Sequence, residues 1–370
     1  MRPASGVVHW IGAGLSTGSG LRAVDEAAGR TRVWARNPGK AGNRLASLGL
    51  HHDVEAIGDL PASIGPGDVV VSMLPTTEHA ALLGQALRVG AHFACSSYTS
   101  AELAGLARRA TDTVVLTEAG LDPGLDHLLA HILVADARAK VGDGPAIAAF
   151  HSDCGGLPAE PNDFRYRFSW APRGVLHALR EPARYIQDGE VRQTPEPWEH
   201  TIRRPVVRGG EVMEVYPNRD SLPFQRRYGF PSGWRITEFQ RGTVRLDGWL
   251  AAWGPVFEVL RTGDDELIDA LADDLARRYP TGPGDHDRVV LAVSLRVDDW
   301  SGGYLLDLRG DERESAMARC VSLPLAVGVE DILAGRMGPG LNRATEDAGV
   351  ARRWLRRLSE VGIDVSQYDT

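Results

Sequence analysis

Val7-Val8-His9-Trp10-Ile11-Gly12-Ala13-Gly14-Leu15-Ser16-Thr17-Gly18 is an apolar run that ends in a glycine turn. The apolar residues read as a buried strand, and residues 19–28 behind the turn read as a helix. Gly12 and Gly14 let the backbone bend tightly and approach a pyrophosphate, whose oxygens then meet the first amides of the helix, with Leu15 and Ser16 at the turn's tip. The pattern is GxGxxT followed by Gly18, not a strict GxGxxG, and a glycine turn alone is common. Its place on the first strand of a strand–helix alternation through the first 140 residues gives it weight.

The second strand, 31–35, ends at Arg36-Asn37-Pro38. Sheets that bind NAD place Asp or Glu here for the ribose hydroxyl, whereas an arginine suits the 2′-phosphate of NADP. No acid is present, so Arg36 predicts NADP; the plainer alternative is a solvated arginine at a strand end. A strand over 68–75 closes on Leu74-Pro75, and a loop through Thr76-Thr77-Glu78-His79 leads to a helix over 80–89. The strand 92–98 ends in Ser96-Ser97-Tyr98, with Ser100 as cap of a helix over 101–110. The strand 113–116 then runs into Thr117-Glu118-Ala119-Gly120-Leu121-Asp122-Pro123-Gly124-Leu125-Asp126-His127. Asp122 is placed to cap the following helix and Pro123 to fit its first turn. Asp122, Asp126 and His127 thus crowd a strand end, where open α/β sheets bind ligands. For Asp126 and His127 a purely structural place at the helix's positive end is an equal alternative. Parallel strands joined by helices would gather Gly12, Arg36, Leu74-Pro75, Ser96-Ser97-Tyr98 and residues 118–122 into one crevice.

Beyond a helix ending near Lys140, Gly142-Asp143-Gly144-Pro145 marks a boundary. Strands are expected over 147–153, 212–215 and 241–245, with a hairpin of 289–297 and 304–308. Helices are expected over 173–179, 315–335 and 344–361. The fold class is therefore α/β, a Rossmann-type parallel sheet domain plus a mixed α/β substrate domain. The expected division is 1–141 for NADP binding, 142–340 for substrate, and 341–370 as a C-terminal helix returning to the first domain. Arg173, Arg219, Arg241 and Arg245 stand in turn-like settings, and planar guanidinium forks match carboxylates. Arg241 is expected at the surface. Cys154 has no convincing histidine base, which excludes a thiol nucleophile, and His51, His52 and His79 are expected on loop surfaces.

A hydrophobic content of 43% with 24% charge suits a soluble globular protein, and a net charge of −8 without a basic block excludes nucleic acid as partner. Three scattered cysteines offer no metal-ligand spacing, so no metal is expected. The polar start is unlike a signal peptide, and no apolar run is long enough to cross a bilayer. A cytoplasmic protein without a membrane partner is expected, and the sequence leaves room for a homodimer.

The chain resembles the NADP-dependent, L-glutamate-forming saccharopine dehydrogenase family, also called saccharopine reductase. The resemblance lies in Ser96-Ser97-Tyr98, residues 118–127, Cys154-Gly155-Gly156-Leu157-Pro158, Phe168-Ser169-Trp170 with Arg173-Gly174-Val175-Leu176, Tyr216-Pro217-Asn218-Arg219-Asp220-Ser221, Arg241-Gly242-Thr243 and Ser315-Ala316-Met317-Ala318-Arg319. It implies a Rossmann domain, a mixed α/β domain and saccharopine in the cleft between them. It further implies reduction by NADPH of the imine of glutamate and 2-aminoadipate semialdehyde, or the reverse, in lysine metabolism. Carried over residue by residue, Ser97, Tyr98, Asp122, Cys154, Gly155, Arg219, Thr243 and Arg245 would face the substrate, with Asp122 as the catalytic group. Gly12, Gly14, Leu15, Ser16, Arg36, Leu74, Pro75, Ser96, Ser97 and Leu121 would face the cofactor. The loop after Leu74-Pro75 departs from the family, which continues there with an aromatic. The alternatives are a related imine reductase, such as carboxynorspermidine dehydrogenase, or a non-catalytic NADP-binding regulatory protein.

Overall fold

The structure, a computed structural model, describes residues 2–168, 172–207, 209–280 and 284–368. Ser169 and Trp170 of the Phe168-Ser169-Trp170 motif lie outside the described residues. The chain divides into two compact units, one of Met1–Leu128 with Ala318–Ile363 and one of Leu129–Met317 with Asp364–Thr370.

In the first unit the strands are β1 (Val7–Ile11), β2 (Arg30–Ala35), β3 (Val54–Ala56), β4 (Val69–Ser72), β5 (His92–Cys95) and β6 (Val114–Thr117). Among the described residues they form, with Gly340–Arg343, a seven-stranded parallel sheet in the order Gly340–Arg343, β6, β5, β4, β1, β2, β3. The helices between them are α1 (Ser19–Ala27), α2 (Pro38–Ser47), α3 (Thr76–Val89) and α4 (Ala101–Ala107), and α5 (Leu125–Val141) follows β6. Runs such as Val69-Val70-Val71 are wholly buried, as expected of strands covered on both faces. The chain steps outward from β1 through β2 to β3, then returns to β4 on the other side of β1. That reversal opens a crevice at the carboxyl ends of the strands.

Backbone approaches hold this unit together. A Cβ on Gly20 of α1 would lie 2.1 Å from the carbonyl oxygen of Ser322, and the Gly20 amide donates to Ser322 Oγ at 3.0 Å. A Cβ on Gly328 would meet Leu116 of β6 at 2.4 Å. These contacts place residues 318–340 with the parallel sheet of the first unit, whereas the sequence division assigned them to the substrate domain. The reason is burial: Leu323, Leu325, Ala326, Val327 and Val329 are all covered, so the helix Ala316–Leu333 is a core helix. Two local boundaries also differ. The helix α3 begins at Thr76, not at residue 80, and α5 begins at Leu125. There the carboxylate of Asp126, not of Asp122, accepts from the Gly124 amide at 2.7 Å.

The second unit is built on a mixed sheet. Among the described residues its order is Ile202–Pro205, Val212–Pro217, Trp234–Leu246, Ala146–Pro158, Asp287–Val297, Trp300–Arg309, Ser366–Tyr368, and a hairpin of Ala183–Gln187 and Glu190–Thr194 joins at Trp234–Leu246. Trp234–Leu246 runs parallel to Ala146–Pro158, and the other pairings are antiparallel. Trp249, Trp253, Phe164, Tyr166 and Phe257 form an aromatic core beside it. The expected hairpin is present as Asp287–Val297 with Trp300–Arg309.

Candidate functional site

Gly12 adopts φ 102°, and a Cβ there would lie 3.1 Å from Leu74 Cδ2 and 3.2 Å from the Met73 carbonyl. Only glycine lets the first turn sit this close to the end of β4. Gly14 differs: a Cβ on it would meet nothing within 4 Å, so its open side faces space that a ligand could take. The hydroxyl of Thr17 donates to the Gly12 carbonyl at 3.1 Å, which is why threonine stands where the strict pattern has glycine: it staples the turn. Leu15 is 53% exposed at the tip with Ser16 half-buried beside it. Gly18, which precedes α1, offers no side chain to cap it.

Arg36 follows β2 and is exposed, with Nη2 2.7 Å from Glu78 Oε1 in the first turn of α3. Asn37 caps α2 by accepting from the Lys40 amide. The early start of α3 also turns His79 inward. His79 is 2% exposed, not on a loop surface, with Nδ1 2.9 Å from Ser72 Oγ and Nε2 3.0 Å from Ser97 Oγ. Burial pushes its pKa down to about 4, so the ring is neutral at neutral pH. Burial also lowers His9 and His92 in the same unit.

These shifts have a signed consequence. The folded pKa of His79 lies below the unfolded one, so the unfolded chain takes up the proton first. Stability is therefore full above about pH 6.5 and is lost as pH falls from there towards 4, by on the order of 3 kcal/mol for His79. Urea titrations at descending pH should show the midpoint falling across that window in the wild type and falling less in His79→Gln. An unchanged slope in the variant would remove His79 from the account.

The ends of β5 and β6 meet next. A Cβ on Gly120 would lie 3.0 Å from Ser96 Cβ, so this glycine brings the two loops into contact. Tyr98 donates its hydroxyl to Asp122 Oδ1 at 2.7 Å, and both residues are half-buried. Behind them Glu118 is 1% exposed, in a left-handed conformation at φ 55°. Its Oε2 lies 3.0 Å from His127 Nε2, and its Oε1 accepts from the Thr99 amide at 3.1 Å. His127 Nδ1 lies 3.1 Å from Asp126, and Arg343 Nε is 3.6 Å from Glu118. Of the two readings open for Asp126 and His127, the buried structural one fits this geometry. Leu121 is buried in the same loop.

In the second unit, Cys154 and Thr243 face each other in register, and Thr243 pairs with Tyr216 on its other side. The Tyr216 hydroxyl bonds the Thr243 side chain and accepts from Arg245 Nη2 at 2.9 Å; burial raises its pKa. Arg245 is buried against the rings of Tyr166, Tyr216 and Trp249, so it braces the strand. Gly155 answers to packing, since a Cβ there would be 2.3 Å from the Val244 carbonyl. Arg219 is exposed at φ 53°, a left-handed position held by the Asn218 amide on Arg241 O and the Arg184 amide on Arg219 O. Left-handed non-glycine residues concentrate at functional loops. Arg241 is not at the surface: it is 1% exposed, with its guanidinium 4.0 Å from the Phe224 ring. Arg173 is a surface residue paired with Asp269 and Asp273.

His79 was expected on a loop surface, and Glu118 and Tyr216 were singled out only as parts of longer motifs; each of these two follows an apolar run, which was the one available signal. Among the described residues no group of three or more metal-ligating side chains occurs, and no helix is long and apolar enough to cross a membrane.

A parallel sheet that reverses at β1, with a glycine turn at the reversal and a mixed sheet unit attached, defines a Rossmann-type protein of two units. The family model described as the saccharopine dehydrogenase C-terminal domain matches residues 120–363. The chain belongs to the saccharopine dehydrogenase family. It is 35% identical, over 65% of its length, to saccharopine dehydrogenase [NADP(+), L-glutamate-forming] of Pyricularia oryzae, covering 55% of that protein. It is 27% identical, over 80% of its length, to the mitochondrial alpha-aminoadipic semialdehyde synthase of Bos taurus, covering 41% of it. The chain thus spans about half the length of these relatives. The fold matches the apo saccharopine dehydrogenase (L-Glu forming) of Saccharomyces cerevisiae with a TM-score of 0.80 at 23% identity, over 98% of this chain and 99% of that one.

Proposed function

We propose that this chain is an NADP(H)-dependent oxidoreductase acting on a C–N bond, interconverting saccharopine with 2-aminoadipate semialdehyde plus L-glutamate. The observation that carries the reading is the Tyr98–Asp122 pair at the carboxyl ends of the strands, in the same crevice as the glycine turn. Relatives named for this reaction support it.

The residues fit the cofactor. The open side of Gly14 leaves room for a pyrophosphate at the turn before α1, and Arg36 stands where a 2′-phosphate would bind. Leu15, Ser16, Leu74, Pro75, Ser96 and Leu121 would border it. NADP(H), when bound, supplies the hydride donor or acceptor. Asp122, held by the Tyr98 hydroxyl, is a carboxylate that stabilises the positive charge of the substrate's amine or iminium nitrogen. Arg219 and Thr243 are proposed to hold substrate carboxylates, Cys154 to contact substrate, and Gly155 and Arg245 to support the strands that carry Cys154 and Thr243.

The test is NADP+ reduction with L-saccharopine. Saturable turnover that falls strongly in Asp122→Asn and in Arg219→Ala is expected. Tight NADPH binding with no turnover would leave the cofactor reading standing and sink the substrate.

Cofactor choice gives a separate expectation. The Arg36–Glu78 pair is exposed, so it contributes little and a phosphate displaces Glu78 readily. Arg36→Asp should raise KM for NADP+ by about ten- to hundredfold, since a charge-assisted bond is lost and a like charge introduced. The same variant should improve the use of NAD+. An unchanged NADP+/NAD+ ratio would exclude Arg36 as the phosphate contact.

A further inference from the structure

We propose that His79 is a positioning residue that fixes the Ser97 hydroxyl as a hydrogen-bond donor aimed at an acceptor oxygen of the bound ligand. The inference rests on the proposed function for the ligand's identity, but its geometry stands on the first unit alone.

The chain of contacts is Ser72 Oγ, His79 Nδ1, His79 Nε2, Ser97 Oγ, with steps of 2.9 and 3.0 Å. A neutral imidazole donates from one nitrogen and accepts at the other, so one end of the relay fixes the other. Ser72 decides the direction. It is 1% exposed at the end of β4, and among the described residues His79 Nδ1 is the partner its hydroxyl has. A buried hydroxyl that fails to donate leaves a costly unsatisfied proton, whereas an unused lone pair costs less. Ser72 therefore donates to Nδ1, and the ring carries its proton on Nε2. Nε2–H donates to Ser97 Oγ, which consumes an acceptor site there and leaves the Ser97 proton to be given away.

Ser97 is half-buried, beside Ser96 and Tyr98 in the crevice. Its outward donor matches a carboxylate oxygen of the substrate or the carboxamide oxygen of a nicotinamide. The ring meets the edge of Phe93, and no carboxylate contributes to its titration, so the relay does not reverse by protonation at neutral pH. The helical start at Thr76 makes this possible, because it places residue 79 under the ends of both β4 and β5.

Two measurements test the idea. In the free protein, 15N spectra of the histidines should show His79 as the Nε2–H tautomer from about pH 8 down to about pH 5.5. Ser72→Ala should then populate the other tautomer. An Nδ1–H tautomer in the wild type overturns the inference, whatever the protein's activity. The second measurement is a cycle of Ser97→Ala, His79→Leu and the double variant, read as kcat/KM for saccharopine and as Kd for NADPH by fluorescence. Each single change should weaken one of these by about tenfold or more, and the double should be no worse than the worse single. A loss in saccharopine KM assigns the acceptor to the substrate, and a loss in NADPH Kd assigns it to the cofactor. His79→Gln, whose amide still donates, should keep most of the function and guards against a leucine variant that fails to fold. Losses that multiply, or Ser97→Ala leaving both quantities unchanged, would overturn it. If no variant, wild type included, oxidises saccharopine, the functional reading fails while the tautomer and the NADPH cycle still decide this one.

Discussion

Gly124→Ala is expected to deprive the first unit of its native fold, with little soluble protein and a loss of more than about 4 kcal/mol in what remains. The cause is a backbone crossing. A Cβ on Gly124 would lie 2.1 Å from the carbonyl oxygen of Gly120 and 2.3 Å from its amide nitrogen. Main chain on both sides means that no side chain can swing aside. The Gly120 amide donates to Pro123 O at 2.9 Å and the Leu125 amide to Gly120 O at 2.9 Å, so the loop between β6 and α5 is closed on itself. Leu121 and Asp122 ride on that closure. Gly124 also has φ 147°, which adds conformational strain for any other residue. Gly142→Ala separates the two effects: Gly142 has φ 84°, but a Cβ there meets nothing within 4 Å. That control should cost about 1 kcal/mol. Equal urea midpoints for the two variants would show that the crossing carries no special weight.

This loop shows what the sequence could and could not reveal. Alternating strands and helices, the glycine turn and the strand ends in Arg36, Ser97 and Asp122 were all legible, because burial of β-branched runs and turn chemistry act locally. The roles within the loop were not. Asp122 has the residue type of a helix cap and stands just before a proline, but the crossing of Gly120 and Gly124 delays the helix to Leu125 and gives the turn to Asp126. That depends on a contact across the loop, which spacing along the chain does not encode. His79 is a similar case. A histidine two residues after Thr77 reads as loop, and only the contact with Ser72 and Ser97 explains its burial. The strand Gly340–Arg343 was invisible for another reason: its four residues show no alternation, and it exists because β6 offers an edge to pair with. Arg241 was misplaced because charge suggests exposure, whereas a guanidinium can bury its planar face on a ring such as Phe224.

Glu118→Gln should destabilise the protein by about 3–5 kcal/mol, while Asp122→Asn, further along the same loop, should keep the Tyr98 bond, cost less stability and remove activity. Glu118 is nearly inaccessible, and His127, the Thr99 amide and Arg343 converge on it, with Asp126 on the far side of His127. His127 sits between two carboxylates. Neutralising Glu118 weakens the acceptor of His127 Nε2 and removes the carboxylate charge beside Arg343, and buried polar groups left with poorer partners are costly. The left-handed backbone at Glu118 needs these contacts as well, since that conformation is unfavourable for a side chain with a Cβ. The loss should appear as a fall of about 10 °C in the melting temperature of the first unit. Asp122 is half-buried and its Oδ1 accepts from Tyr98, a bond that an amide oxygen keeps. The pair of variants therefore divides the acidic residues of one stretch by task. If Glu118→Gln melts with the wild type, the buried cluster does not hold the loop, and the placement of Asp122 must rest on the glycine crossing alone.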